Sequence, residues 1–478
     1  MKRKIYSTLL EWKQTSNGKS AIMLDGARRV GKSYIAEEFA RNEYAAYLIV
    51  DFATATKKIK SYFEEYLNDL DQFFMYLCAA YHKTLIPGKS VIIFDEVQRF
   101  PKAREAIKYL VKDGRFHYIE TGSLISIRKN VKNIVIPSEE HHVKMFPMDF
   151  DEFLWATGNA ALIPVIERRF AEHKPVGSGM HRQIMDAFRQ YLVVGGMPQV
   201  VKTFAETHDL AQVEREKRDI IDLYRADIHK FAGALRTKVA AIFSEIPAQL
   251  SKHEKKFSVS ALSDGARIRD YDGAFEWLKE AMTINICYGA SEPNVGLRLN
   301  IDRTTLKCYL GDTGLLVSLA FDESELAAED IHNRLLNDDI ELNEGMLIEN
   351  VVAQMIRAAG HKLYFYSNSD RTDAANRMEI DFLIAKSRTQ VKGNVSPIEV
   401  KSGRKYGTAS LNKFRAKYAD FLDASFVLHK KDVKVEDDIV YLPLYMAPLL
   451  VRRDRMDSSQ QPLPDPSWPQ ASDGFVHL

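Results

Sequence analysis

The stretch GARRVGKS at residues 26–33 constrains the fold of this chain more than any other part of the sequence. It satisfies the pattern G-x-x-x-x-G-K-[ST] in full through Gly26, Gly31, Lys32 and Ser33, and it follows the apolar run AIMLD. The glycines let a backbone fold around phosphate oxygens, so that successive N–H groups and a helix N-terminus face the anion. The sequence therefore predicts a strand, a phosphate-binding loop and a helix, which is how a P-loop nucleotide-binding domain begins.

This loop is predicted to hold the phosphates of ATP along its whole length. Lys32 is expected to reach the β and γ phosphates, and the hydroxyl of Ser33 to bind Mg²⁺. The alternative is a glycine turn followed by a chance Lys-Ser pair. The predicted phosphate-binding residues are Gly26, Ala27, Arg28, Arg29, Val30, Gly31, Lys32 and Ser33.

Two further strand ends favour the nucleotide site over that alternative. SVIIFDEVQ is an apolar run that ends in Asp95 and Glu96, where the first carboxylate would hold Mg²⁺ and the second would polarise the attacking water. HYIETGS ends in Thr121 and Ser123, which are candidates for positioning that water near the γ phosphate. Together with the P-loop, they predict an enzyme that hydrolyses ATP with Mg²⁺.

The hydrophobic pattern predicts two α/β regions separated by a helical one. In residues 1–155, short apolar runs alternate with amphipathic stretches, which is typical of a parallel sheet covered by helices. Residues 156–330 are mainly helical and end in a winged-helix pattern, and residues 331–455 return to α/β. The tail, residues 456–478, is rich in Ser, Pro and Gln and is expected to be disordered.

The winged-helix pattern allows two interpretations. FSVSALSDGARIRDYDGAFEWLKEA, followed by apolar strands, has the order helix, turn, helix and hairpin. Basic residues near the two helix starts could contact DNA phosphates: Lys255, Lys256, Arg267 and Arg269. Acidic residues on the second helix would repel DNA and favour packing against protein instead: Asp270, Asp272, Glu276 and Glu280.

The C-terminal region carries a second set of candidate catalytic residues. Asp381 interrupts the apolar run MEIDFLI, and Glu399 and Lys401 stand two apart in PIEVKSG, which puts them on one face of a strand. Asp381 and Glu399 could hold Mg²⁺ for attack on a phosphodiester, with Lys401 orienting the water and Glu349 lying in the preceding helix. A solvated Glu-x-Lys pair remains the alternative.

Several of these motifs carry a resemblance to known families. GARRVGKS, IIFDEVQ and TGS, with MFPMDFDEFL, YLVVGGMPQVV, KCYLGDTGLL and LIENVVAQMI, resemble the bacterial and archaeal AAA-type ATPases that have a C-terminal domain of unknown function. The order Glu349, Asp381, Glu399, Lys401 resembles the restriction-endonuclease-like PD-(D/E)xK nucleases, although Ile380 stands where that motif has proline. The resemblance implies an AAA-type fold, a nuclease-like core and a tendency to form homo-oligomeric rings.

One departure from the AAA-type relatives concerns a missing arginine. They usually carry a Gly-Arg pair shortly before MFPMDFDEFL, where this chain reads IPSEEHHVK. Arg128 is interpreted as a surface residue, and His141 and His142 as solvated side chains, because neighbours on a strand face opposite ways. No arginine that stabilises the transition state can therefore be named from the sequence.

The composition of the chain bears on its partners and its cellular location. With 46% hydrophobic and 27% charged residues and a net charge of +1, the chain has no global attraction to nucleic acid or membranes. Three scattered cysteines, no apolar signal segment and no long uncharged apolar run predict a cytoplasmic protein without a membrane partner.

The leading hypothesis is an ATP-dependent enzyme or switch that acts on DNA. Two alternatives stay open. One is a regulatory NTPase whose C-terminal domain is catalytically silent and binds protein, and the other is an ATPase that binds DNA without cutting it.

Overall fold

The structure is a computed structural model that describes most of the chain. It covers residues 1–122, 139–321 and 344–451, apart from residues 253, 295, 371, 375, 386–392 and 404, together with residues 334 and 336. Ser123, Arg128 and the tail that was expected to be disordered lie outside the described residues.

The N-terminal region forms a five-stranded sheet in which every neighbouring pair is parallel, in the order β2-β3-β4-β1-β5. The predicted parallel α/β fold is confirmed here. Its elements are α1 (Ile5–Ser16), β1 (Ala21–Gly26), α2 (Lys32–Glu43), β2 (Ala46–Asp51), α3 (Lys57–Glu65), α4 (Leu70–Tyr81), β3 (Ser90–Asp95), α5 (Pro101–Asp113), β4 (His117–Gly122) and β5 (Glu140–Met145).

Both faces of this sheet are covered at its central strands, which explains why β1 and β3 are almost entirely apolar and buried. Along β1, Ile22 and Leu24 pack into the core shared with the helical region, whereas Ala21 and Met23 pack on the opposite face. Since the strands are parallel, their carboxyl ends meet at one edge of the sheet. This edge brings the P-loop, the end of β3 and the end of β4 together.

A helical region follows and packs against the first of these faces. Its longest helix is buried along one side through Val213, Ile220, Tyr224 and Ile228. The helices are α6 (Phe150–Ala156), α7 (Leu162–Glu172), α8 (Ser178–Val194), α9 (Pro198–Thr207), α10 (Leu210–Phe231), α11 (Arg236–Leu250) and α12 (Asp272–Glu280).

The C-terminal region is built on a mixed sheet in the order β12-β13-β11-β10-β9-β8-β6-β7. Helices α13 and α14 pack on the same face as the helical region, and a smaller core with α15 lies on the other face. The elements are β6 (Ile284–Ala290), β7 (Ile301–Leu310), α13 (Thr313–Ala320), α14 (Glu344–Ala358), β8 (Leu363–Asn368), β9 (Met378–Ala385), β10 (Val395–Val400), α15 (Ala409–Tyr418), β11 (Ser425–His429), β12 (Lys434–Glu436) and β13 (Ile439–Pro443).

The hairpin that was expected to form a wing belongs to this larger sheet. β6 pairs antiparallel with β7 and parallel with β8, so its backbone is bonded on both sides. The predicted division near residue 330 therefore does not separate two sheets. The first helix of the winged-helix pattern is only a short 3₁₀ turn, Val259–Ala261. In the parts of the chain that are described, no helix is long and apolar enough to cross a membrane.

Candidate functional site

The P-loop connects β1 to α2 in the way that its sequence predicts. Gly31 has φ +89°, a left-handed conformation that favours glycine, immediately before the first residue of α2. At Gly26, an added Cβ atom would lie 2.5 Å from the carbonyl oxygen of Met145, so a larger residue would collide with the backbone of β5. The two glycines of the motif are thus required by backbone conformation and by close packing.

Lys32 lies folded into the loop. Its Nζ donates to the carbonyl oxygens of Gly26 at 3.0 Å and Ala27 at 2.9 Å, and the side chain is buried. Burial lowers the pKa of Lys32, and the nearby carboxylates of Glu96 and Asp95 oppose that shift. A buried ammonium group that is hydrogen-bonded to loop carbonyl oxygens is well prepared to accept phosphate oxygens instead.

The start of α2 and the end of β4 both contact the carboxylate of Asp95 at the end of β3. Ser33 Oγ donates to Asp95 Oδ1 at 2.7 Å, and the hydroxyl of Thr121 donates to the same oxygen. A hydroxyl and a carboxylate are oxygen ligands of the kind that Mg²⁺ prefers. Ser33 and Asp95 therefore fit the predicted metal position beside the loop.

Glu96 follows directly and has an unusual backbone. Its φ is +54°, which is uncommon for a residue with a side chain, and its N–H donates to Thr121 Oγ1 at 3.4 Å. Gln98 Nε2 donates to Glu96 Oε2 at 2.6 Å and orients the carboxylate. Non-glycine residues in this conformation concentrate at functional sites. The arrangement agrees with Glu96 as the group that receives a proton from water.

The arginines of the loop contact the helical region. Arg28 Nη1 pairs with Asp227 Oδ1 at 2.7 Å, and the carbonyl oxygen of Arg28 accepts from the hydroxyl of Tyr224 at 3.1 Å. Arg29 Nη1 lies 3.4 Å from Gln199 Oε1. These two side chains were predicted within the phosphate-binding loop, but here they connect that loop to α9 and α10.

Both histidines on β5 are exposed, as expected, but His142 also has carboxylate partners that the sequence did not predict. His142 lies between Asp25 Oδ2 at 3.2 Å and Glu140 Oε2 at 3.0 Å. These hydrogen bonds raise the pKa of His142 to about 9. Within the described residues, no group of three or more His, Cys, Asp or Glu side chains could hold a metal.

The C-terminal candidates gather around a lysine that the sequence analysis did not select. Lys307 of β7 is buried, and its Nζ lies 2.8 Å from Glu379 Oε1, 3.4 Å from Asp381 Oδ1 and 3.8 Å from Glu349 Oε2. Desolvation lowers the pKa of Lys307, but these three carboxylates outweigh it and leave the pKa above its ordinary value. Lys307 is a charged residue in the apolar run LKCYL, the same signal that identified Asp381.

The remaining contacts keep these carboxylates paired. Lys255 pairs with Glu349, and the hydroxyl of Tyr309 donates to Glu349 Oε2 at 3.0 Å. The backbone N–H of Val400 donates to Asp381 Oδ2 at 2.9 Å.

Glu399 and Lys401 also lie close together, as their spacing predicted. Lys401 Nζ lies 2.8 Å from Glu399 Oε2. Burial raises the pKa of Glu399, and Lys401 opposes the shift.

This arrangement does not fit a Mg²⁺ site at Asp381 and Glu399. The ammonium group of Lys307 lies among Glu349, Glu379 and Asp381, while Glu399 pairs with Lys401. The ammonium group neutralises these carboxylates as a metal ion would, and it occupies the position between them that a metal would need. The predicted roles of these residues in metal-dependent cleavage therefore find no geometric support.

Comparison with known families identifies the N-terminal part. Residues 18–154 match the family model described as an AAA domain. This part of the chain is an AAA-type P-loop domain. Residues 185–326 and 344–446 match two domains of unknown function, DUF8612 and DUF4143. No curated protein matches the chain.

Two solved structures are distantly similar. One is the ORC1 protein of Aeropyrum pernix in complex with DNA, at 12% identity and a TM-score of 0.25, covering 71% of this chain and 93% of that one. The other is a signal transduction ATPase with numerous domains and a tetratricopeptide repeat sensor from Pyrococcus horikoshii, at 13% identity and a TM-score of 0.26. It covers 76% of this chain, which spans about half (48%) of that protein. At these TM-scores, neither similarity supports a conclusion about this chain.

Four sequence motifs that carried the family resemblance, but had no predicted chemical role, meet in one buried junction between the AAA domain and the C-terminal sheet. Asp312 Oδ2 accepts from the N–H of Gly196 at 2.6 Å and from Gln354 Nε2 at 3.2 Å. Gln354 Nε2 also donates to the hydroxyl of Tyr191, which in turn donates to the carbonyl oxygen of Met148 at 2.8 Å. MFPMDFDEFL, YLVVGGMPQVV, KCYLGDTGLL and LIENVVAQMI thus supply one hydrogen-bonded network.

The glycine pair of this junction has no room for side chains. A Cβ atom on Gly195 would lie 2.2 Å from Asp312 Oδ1, and one on Gly196 would lie 2.1 Å from the carbonyl oxygen of Met148. The same segment continues to Pro198, whose ring would lie 3.6 Å from a Cβ atom on Gly31 of the P-loop. One short segment therefore contacts both the nucleotide loop and the C-terminal network.

Proposed function

We propose that the chain is an ATP-hydrolysing switch that controls a DNA-directed C-terminal module. The observation that carries this proposal is the meeting of Ser33, Asp95 and Thr121 at one carboxylate oxygen, beside the buried Lys32. A P-loop, a metal-binding carboxylate and a water-activating glutamate are the parts that phosphoryl transfer requires.

The residues of the AAA domain have separate tasks in this proposal. Ser33 and Asp95 would hold Mg²⁺, which neutralises charge between the phosphates. Lys32 leaves the carbonyl oxygens of Gly26 and Ala27 and binds the β and γ phosphates. Thr121 positions the attacking water, and Glu96 takes its proton.

Coupling to the C-terminal sheet is supported by the contacts of the loop. Movement of the loop on phosphate binding would act on α10 through Arg28, Asp227 and Tyr224. It would also act on the segment from Gly195 to Pro198, which is hydrogen-bonded to Asp312. Packed and hydrogen-bonded elements of this kind can transmit a change between sites when they have two alternative arrangements.

The C-terminal module is proposed to bind DNA without cutting it. The element order α14-β8-β9-β10-α15-β11 agrees with a nuclease-like core, but Lys307 lies among the carboxylates that would be needed for a metal. A protein partner is the competing possibility, and a chain that does not bind DNA would favour it.

Replacing Lys32 with alanine is expected to abolish measurable ATP binding. The side chain would make two charge-assisted hydrogen bonds to phosphates at about 1.5–3 kcal/mol each, so the affinity should fall by about 100-fold or more. Calorimetric titration with Mg-ATP measures the change, and Lys57→Ala, at an exposed lysine at the start of α3, is the matched control. Binding by Lys32→Ala at the wild-type affinity would overturn the assignment of the P-loop.

A further inference from the structure

A basic cleft lies where three parts of the chain meet. It has a volume of about 660 Å³ and is bounded by the end of the AAA domain, by α12 with the β6–β7 hairpin, and by the region from α14 to β8. This volume is in the range of ligand-binding sites. The basic residues that line it are Lys144, Lys279, Arg298, Arg303, Arg357 and Lys362, and the acidic ones are Asp272 and Glu276.

Two of these six cations have a described polar partner. Lys279 pairs with Glu276 at 2.7 Å, and Arg357 Nη1 donates to the carbonyl oxygen of His361 at 2.8 Å. Across the described part of the chain, the other four make no ion pair and no side-chain hydrogen bond. They are Lys144, Arg298, Arg303 and Lys362.

The charges also act on one another. The pKa of Lys144 is lowered first by desolvation and then by repulsion from Arg357; Asp25 opposes this shift, and Lys279 and Lys362 add to it. A cleft of six cations and two anions concentrates positive potential, and bound phosphates would relieve this repulsion.

Aromatic side chains stand among the cations. Phe275 and Tyr364 line the cleft but are buried, whereas Tyr288 is half-buried and leaves part of its ring accessible, with Lys279 Nζ 6.0 Å from the ring centroid. A positively charged groove that also offers an accessible aromatic ring is the combination with which proteins bind single-stranded nucleic acid, because every base can stack on such a ring.

We propose that this cleft binds a single-stranded nucleic-acid segment, with its phosphates on Arg298, Arg303 and Lys362 and a base against Tyr288. The inference rests on the proposed function and locates its DNA contact. It does not use Arg267 and Arg269, which precede α12 and do not line the cleft, and Arg269 pairs with Asp270 at 3.9 Å. A strand held here would contact the AAA domain through Lys144 and the C-terminal sheet through Lys362.

The test is fluorescence anisotropy with a labelled oligothymidylate of about 12 nucleotides, measured over a series of salt concentrations. The double variant Arg298→Ser/Arg303→Ser changes two exposed side chains without described partners, so the fold should be kept. It should lower the affinity by about tenfold or more and reduce the salt slope by about 1.4, at about 0.7 per phosphate contact. Tyr288→Leu should weaken binding about 5- to 150-fold without changing that slope.

The matched control is Arg267→Ser/Arg269→Ser, two exposed arginines that precede α12 and do not line the cleft, and this variant should bind like wild type. If wild type binds and the cleft variants bind equally well, the inference is overturned while the proposed function stands. If wild type does not bind DNA at all, the DNA-directed function fails as well. Equal competition by duplex DNA, or by a free dinucleotide at the same concentration, would also contradict a cleft for a single strand.

Discussion

Replacing Glu96 with glutamine should lower the rate of ATP hydrolysis by about 10²–10⁴-fold and leave ATP affinity close to that of wild type. Glutamine has nearly the same shape as glutamate but cannot accept a proton from the attacking water. Glu96 also makes no proposed contact with the phosphates, which belong to Lys32 and the loop backbone. The change should therefore appear in turnover and not in binding.

Steady-state phosphate release and a Mg-ATP titration of the same preparation separate these two effects. Glu64→Gln is the matched control, because Glu64 is an exposed glutamate of the AAA domain that pairs with Lys102 away from the loop. Its turnover should equal that of wild type. Unimpaired phosphate release by Glu96→Gln would refute the role of Glu96, and loss of ATP affinity would show that the residue acts in binding instead.

Replacing Lys307 with methionine should destabilise the C-terminal sheet strongly. The substitution leaves Glu349, Glu379 and Asp381 close together without their shared cation, and breaking a buried ion pair from one side costs about 3–5 kcal/mol. At about 2–4 °C per kcal/mol, the midpoint of thermal unfolding should fall by about 6–20 °C.

Differential scanning calorimetry measures this shift. A control variant and a compensating double variant show whether it comes from the carboxylate cluster. Lys434→Met removes an exposed lysine paired with Glu436 at 2.6 Å in the same sheet and should leave the midpoint unchanged. Adding Glu379→Gln to Lys307→Met removes one of the unpaired charges and should recover part of the loss. An unchanged midpoint for Lys307→Met would contradict a cation that holds the carboxylate cluster together.

The AAA domain could be predicted from the sequence because its determinants are local. A phosphate-binding loop needs glycines and a lysine at fixed spacing between a strand and a helix, as Gly26, Gly31 and Lys32 provide. This pattern can be recognised in the sequence without knowing how distant segments pack. The parallel arrangement then follows, since apolar strands that alternate with helices pair in only a few ways. The meeting of Asp95 and Thr121 at one sheet edge is a consequence of that topology.

The C-terminal features were harder to predict because they depend on pairing between distant segments. The sequence near β6 does not show that this strand pairs with β8. That pairing, together with β6–β7 and β8–β9, brings Lys307 close to Asp381. The junction at Asp312 likewise joins motifs that are far apart in the chain. At Asp381, a charged residue within an apolar run indicated a buried partner, but the sequence did not say which one.

The affinity of the Glu96→Gln variant for single-stranded DNA, with and without saturating Mg-ATP, tests the central claim most directly. This variant is expected to hold ATP without hydrolysing it, so the two nucleotide states can be compared at equilibrium. Coupling between sites is typically worth about 5- to 150-fold in affinity, and ATP should change DNA binding by at least the lower value. Equal affinities in the two states would contradict a nucleotide switch that controls the C-terminal module.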